Sequence, residues 1–129
     1  MLRRVVLLLA IGSMLVFAAI PAYASRGTAY SSDGGAKSTW GYWPNTHNLA
    51  GTLSDRSAGN ALCARVFVRG YSHVLGWESW KMRAKNCAGT HGPWIYNAGS
   101  IYSDHVQLKV CDGGTDTTGA RCGPVARPK

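Results

Sequence analysis

Negative charge is scarce in this chain, which limits the chemistry open to it. Six acidic residues stand against fourteen lysines and arginines, for a net charge of +8, and Glu78 is the only glutamate. Hydrolysis by a pair of carboxylates needs two acids held close together. The five aspartates are scattered over predicted loops, so the sequence offers no evident carboxylate pair.

Motifs of other catalytic classes are missing too. The chain has no G-x-S-x-G or H-E-x-x-H pattern, and its four histidines are isolated from one another in sequence. Asp104 and His105 are neighbours, but adjacent residues of a strand point to opposite faces. The segment 112–116 lacks the spacing of an EF-hand and is typical of a Gly-rich turn. We therefore expect no catalytic residue, no metal, no cofactor and no enzymatic activity.

The cysteines are few and lack the close spacing of a zinc knuckle. No C-x₂₋₄-C pair occurs among Cys63, Cys87, Cys111 and Cys122. An even number of cysteines in an exported chain indicates disulfides. Three pairings are possible, and we favour Cys63–Cys87 with Cys111–Cys122 because nearest-neighbour bridges close short loops around single hairpins.

The one long apolar run lies at the start of the chain. Arg3 and Arg4 precede the uncharged segment 5–20, which is shorter than the roughly 20 residues of a spanning helix. Pro21 follows it, and Ala22-Tyr23-Ala24 has the small-x-small pattern of a signal-peptidase site. Residues 1–24 are predicted to be a signal peptide, with an uncleaved anchor as the alternative. Cleavage leaves 105 residues with a net charge of +6, and we expect an extracellular protein.

Composition divides the rest of the chain into two parts. Residues 25–47 are rich in Ser, Gly, Thr and Lys and end near the aromatic cluster Trp40-Gly41-Tyr42-Trp43. Gly- and Ser-rich segments of this kind favour loops, so residues 25–47 are predicted to be a flexible N-terminal arm. Residues 48–129 are predicted to be the disulfide-bonded β domain.

Apolar and polar residues alternate in three stretches of that domain, near residues 62–69, 79–84 and 105–110. A period of two is typical of half-buried strands. Weaker strand candidates are 49–53 and 94–96, and no stretch sustains a helical period. The pattern predicts an all-β fold, a small antiparallel β-sandwich or barrel with two disulfides. Its phase predicts three buried side chains, Val66, Trp80 and Leu108, with Arg65, Lys81 and Lys109 on the opposite faces of their strands.

Five tryptophans are more than a core of this size requires, and Trp and Arg dominate interface hot spots. The predicted partner-binding residues are Trp40, Tyr42, Trp43, Trp77, Arg65, Arg69 and Arg83. Their positive charge favours an acidic partner or an anionic envelope. Export makes nucleic acid an unlikely partner, and no stable membrane insertion is expected.

In size and layout the chain resembles the small adaptor subunit of the umbrella-toxin particles of Streptomyces. The resemblance lies in an Ala-ended signal, a Gly/Ser/Trp arm and a strand such as 62–68 leading into a Cys-closed β domain. It implies that residues 25–47 insert into a cleft of a lectin-like subunit, and that the domain joins this subunit to a large repeat-containing toxin polypeptide.

These observations predict a secreted, non-enzymatic protein-interaction module, an adaptor in an extracellular toxin complex whose arm docks into a partner. Two alternatives remain open. The first is a module that binds carbohydrate or the cell envelope through exposed tryptophans, so a polysaccharide partner is possible. The second is a small cationic antibacterial protein that acts alone.

Overall fold

Antiparallel β-strands form the regular structure of this protein. The computed structural model describes residues 25–56, 62–87, 89–97, 105–113 and 121–129, so the predicted signal peptide lies outside the described residues. The strands are β1 (Ser25–Tyr30), β2 (Ala36–Trp43), β3 (Asn48–Asp55), β4 (Ala64–Ser72), β5 (Gly76–Trp77), β6 (Lys81–Asn86), β7 (Gly89–Asn97), β8 (His105–Asp112) and β9 (Arg121–Cys122). Within these residues no helix is both long and apolar enough to cross a membrane.

The strands form two sheets. The first sheet has the order β1-β2-β3-β7. In the second sheet β4 pairs with β8 along one edge and with β5 and β6 along the other, while β9 pairs with β8. The predicted all-β class is confirmed.

One hydrophobic core lies between the sheets. Val66, Val68, Leu108 and Val110 contribute to it from β4 and β8, and each is fully buried. The first sheet contributes side chains from β2, β3 and β7, among them Tyr42, Leu49, Leu53, Trp94 and Tyr96. The strand phase predicted for β4 and β8 is therefore right, since Val66 and Leu108 both face the core.

Residues 25–47 do not form a flexible arm, and this prediction needs correction. They contain β1 and β2, which pair with each other over six residues, and β2 pairs with β3 over eight. Small residues suit this position because Ala36 and Ser38 of β2 are completely buried at the sheet interface. The segment belongs to the same two-sheet structure as the rest, so residue 47 does not end a separate region.

Trp80 is not a core residue, contrary to the predicted phase of the second stretch. A register shift between Val66 and Phe67 breaks the alternation along β6, so that Ala84 pairs with Val66 while Met82 pairs with Phe67 on the other face. Ala84 is consequently buried, Met82 is 47% exposed, and Trp80 is half-buried outside the core. Trp94 is the core tryptophan instead, and its indole N–H donates to Ser38 Oγ at 3.0 Å.

Both disulfides have the predicted pairing. Cys63–Cys87 joins the residue before β4 to the residue after β6, and Cys111–Cys122 joins paired positions of β8 and β9. Each bridge closes a short stretch of chain, and bridges of this kind typically contribute about 2–4 kcal/mol. Two disulfides are compatible with an oxidising, extracellular compartment.

Candidate functional site

The outer face of the second sheet gathers cationic and aromatic side chains. Alternate residues of β4 point to this face, and the register sets their neighbours on each side. Arg69 is paired with Gln107 of β8, and its Nε donates to the Gln107 side-chain oxygen at 3.0 Å. Tyr71, two residues further along β4, is paired with Trp77 of β5.

Four of these side chains stack in alternation. The Arg69 guanidinium lies 4.7 Å from the ring centroid of Trp77 and 4.4 Å from that of Trp80. The Lys109 ammonium lies 4.6 Å from the same Trp80 ring. Cations at such distances are attracted to the electron-rich ring faces. We name this series, Trp77, Arg69, Trp80 and Lys109, the cation–aromatic ladder.

Positive charge in the ladder is only partly solvated. Burial lowers the pKa of Arg69, and burial together with the charge of Arg69 lowers the pKa of Lys109. The structure describes four acidic residues, and none of them is paired with Arg69. Asp55 and Asp112 are buried, and Asp33 pairs with Arg121. Glu78 accepts a hydrogen bond from Tyr96 and pairs with Lys81. In the part of the chain that the structure describes, Arg69 therefore forms no ion pair with a carboxylate. Both cations repel each other at a site that an anion would stabilise.

Aromatic rings extend the ladder at its β5 end. The Tyr71 ring centroid lies 5.1 Å from that of Trp77, 5.8 Å from that of His73 and 5.7 Å from that of His105. Aromatic pairs at these separations attract one another. The outer face thus carries a continuous band of rings beside the two cations.

Glu78 fixes the segment that carries both ladder tryptophans. Its carboxylate accepts hydrogen bonds from the Gly70 amide at 2.9 Å and from the Tyr96 hydroxyl, and it pairs with Lys81 at 3.0 Å. Burial alone would raise the pKa of Glu78, but these donors outweigh it and lower the pKa. Because Tyr96 belongs to the first sheet, the only glutamate in the sequence ties the Trp77–Trp80 segment to both sheets.

The predicted partner-binding residues do not form one surface. Arg69 and Trp77 belong to the ladder, whereas Arg65 is only 8% exposed and Arg83 lies over the Tyr96 ring at 5.3 Å. From the aromatic cluster, Trp40 and Tyr42 are packed with the core and Trp43 lies at the outer face of the first sheet.

Two ladder residues were missed by sequence reasoning. Trp80 was assigned to the core, and Lys109 was treated as an ordinary solvent-facing lysine. A signal was present, since Lys109 alternates with core residues of β8 and so shares a face with Arg69 of β4.

A metal site is the other kind of site to consider. Within the described ranges no three His, Cys, Asp or Glu side chains come close enough to hold a metal ion. Residues 114–116 of the predicted Gly-rich turn lie outside these ranges, as does Asp104. Comparison with known proteins found no matching family model, no matching curated protein and no matching solved structure.

Proposed function

We propose that this protein is a secreted, non-enzymatic interaction module that binds an acidic surface of another secreted protein through the cation–aromatic ladder. The observation that carries the proposal is the position of Arg69 between two tryptophan rings with no carboxylate partner among the described residues. Arg and Trp are the residues most enriched in interface hot spots.

The ladder is organised before a partner arrives. Stacking on Trp77 and Trp80 and the bond to Gln107 hold the Arg69 side chain in place, which reduces the entropy lost on binding. Folding has already removed part of the water around Arg69 and Lys109, so less desolvation remains to oppose binding. A partner carboxylate would relieve the repulsion between the two cations, so the face favours an anionic partner over a neutral one.

An adaptor role within an extracellular toxin complex is consistent with this surface, but a different part of the chain would make the contact. Residues 25–47 are held in the first sheet, so deletion of this segment would remove β1 and β2 completely and disrupt the fold. We therefore assign the contact with the partner to the ladder rather than to an inserted arm.

The test is capture from the culture supernatant of the secreting cells. Purified wild-type protein and the variants Arg69→Gln and Lys109→Gln serve as baits, with Lys37→Gln on β2 of the first sheet as a control that removes the same charge. Captured proteins are identified by mass spectrometry and their affinities measured. We expect an acidic partner, with affinity lowered about thirtyfold by Arg69→Gln and nearly unchanged by Lys37→Gln.

Three outcomes would contradict the proposal. In the first, the captured partner is not acidic. In the second, Lys37→Gln weakens capture as much as Lys109→Gln does, which would indicate a response to net charge alone. In the third, no protein is captured and the pure protein kills bacteria by itself, as a cationic antibacterial protein would.

A further inference from the structure

A second surface lies on the opposite side of the sandwich, at the outer face of the first sheet. It is an open trough of about 630 Å³ across β1, β2 and β3, and Pro93 of β7 lines one side. A smaller hollow of about 420 Å³ adjoins it and shares Trp43 and Ala50 with it. Trp43 thus stands between two contiguous depressions.

The strand register explains the shape of the trough. Gly41 and Ala50 are paired across β2 and β3, and they form a floor with almost no side-chain height. Two residues further along the strands, on the same face of the sheet, three threonines lie in register, Thr28, Thr39 and Thr52, one from each strand. Trp43 lies two residues from Gly41 in the other direction. The floor therefore has hydroxyl groups at one end and an aromatic ring at the other.

The aromatic ring and the hydroxyl groups suit the two kinds of surface that a sugar presents. A pyranose presents a patch of C–H groups on one face, which packs on an aromatic ring, and hydroxyls around its edge. Threonine hydroxyls both donate and accept hydrogen bonds, as sugar hydroxyls do, and Thr39 Oγ1 lies 2.8 Å from Thr52 Oγ1. Among the residues that the structure describes, no acidic residue and no lysine lines either depression, and Arg26 is the only charged one there.

From this geometry we infer that the trough binds a neutral polysaccharide, with a sugar ring lying against Trp43 and the chain continuing into the adjoining hollow. A polymer suits the site better than a single sugar because the depressions are shallow, open and continuous. Thr39 and Trp43, at the two ends of the trough, are four residues apart along β2. This corresponds to roughly 13 Å, which leaves room for more than one sugar ring. This site and the cation–aromatic ladder lie on opposite faces, and neither proposal needs the other.

The test is retention of the purified protein on three neutral insoluble polysaccharides, cellulose, chitin and curdlan, with anionic peptidoglycan sacculi as a comparison. Salt at about 0.5 M screens attraction between the cationic face and anionic wall components. Trp43→Ala removes the aromatic ring, and Ala50→Leu fills the floor without removing a contact. Leu75→Ala is the control, because it removes an exposed apolar side chain from the turn between β4 and β5 of the second sheet. Thermal unfolding checks that each variant is folded.

We expect wild type and Leu75→Ala to be retained on at least one of the three neutral polysaccharides. Trp43→Ala and Ala50→Leu should each lower the affinity at least about tenfold. Failure of wild type to bind any of the three would overturn the inference. So would retention that survives Ala50→Leu in a folded protein, or that is lost in Leu75→Ala instead.

Discussion

Removal of the Glu78 carboxylate should loosen the contact between the two sheets and the ladder segment together. The Glu78 side chain is only 6% exposed and accepts from the Gly70 amide, the Tyr96 hydroxyl and Lys81. Glu78→Ala removes the carboxylate acceptor from the first two donors, at about 1–3 kcal/mol each. We expect a total loss of about 2–6 kcal/mol in the free energy of unfolding.

Glu78→Gln removes the negative charge but keeps the size of the side chain, so it distinguishes the effect of charge from that of packing. Glutamine keeps one acceptor oxygen but turns an NH₂ group toward a donor, so we expect a loss of about 1–2 kcal/mol at neutral pH. Lys81→Ala is the control for the exposed ion pair and should cost less than about 1 kcal/mol. Urea unfolding followed by tryptophan fluorescence measures all three variants.

The pH dependence provides a second check on the same carboxylate. The pKa of Glu78 is lower in the folded protein than its ordinary value of 4.5. Its contribution is therefore complete above pH 4.5 and is lost as the pH falls through the folded-state pKa. The stability gap between wild type and Glu78→Gln should therefore close only in acid, as the pH falls below 4.5 and through the lowered folded-state pKa. A gap that is absent at neutral pH, or that persists unchanged in acid, would refute this account of Glu78.

Three further predictions concern the core, the first sheet and the ladder. Val66→Ala should cost about 2 kcal/mol in urea unfolding, while Thr46→Ala in an exposed turn should stay within about 0.5 kcal/mol; equal losses would mean that β4 is out of register. Gly51→Ala should cost about 3 kcal/mol or more, because the added Cβ would lie 1.8 Å from the Thr39 carbonyl oxygen, and a normal unfolding midpoint would disprove that close approach. Affinity for the acidic partner should fall as the pH rises through the lowered pKa of Lys109, below 10.5, and Lys109→Gln should lack this step; the same step in both proteins would contradict the assigned role.

Strand phase was predictable wherever large apolar residues alternate with polar ones. Val66 and Leu108 lie on such strands, and the sequence pattern assigned both to the core correctly. Trp80 was misassigned because the register shift between Val66 and Phe67 reverses the alternation along the neighbouring strand. A bulge of this kind depends on the pairing partner, so the pattern within one segment does not reveal it.

The first two strands were hidden by their composition. Small and hydroxylic residues in 25–43 favour loops by propensity, yet Ala36 and Ser38 alternate with Lys37 and Thr39 in the period of a strand. Small side chains are needed there, because the inner face of β2 packs closely against the core. The residue propensities of this segment favour a loop, but its packing against the rest of the protein requires a strand, and the structure has a strand.

The ladder could be predicted only in part. Trp77 and Arg69 were singled out by residue type, but their contact depends on β5 folding back onto the end of β4. Trp80 joins the ladder beside the β4–β6 pairing, between residues 13 to 22 apart in sequence, and Lys109 joins it through the β4–β8 pairing, between residues 36 to 48 apart. Patterns within one segment do not encode such pairings.

Site-specific photocrosslinking tests the central claim most directly, because it reports which face touches a partner. A photoreactive residue replaces either Met82, which is 47% exposed beside the ladder, or Ile95, which is 62% exposed on the first sheet. Each protein is irradiated in the culture supernatant of the secreting cells, and crosslinked proteins are identified by mass spectrometry. We predict a crosslink to an acidic secreted protein from position 82 and none to that protein from position 95. A crosslink to it from position 95 alone, or from neither position, would contradict the assignment of the ladder as the partner-binding surface.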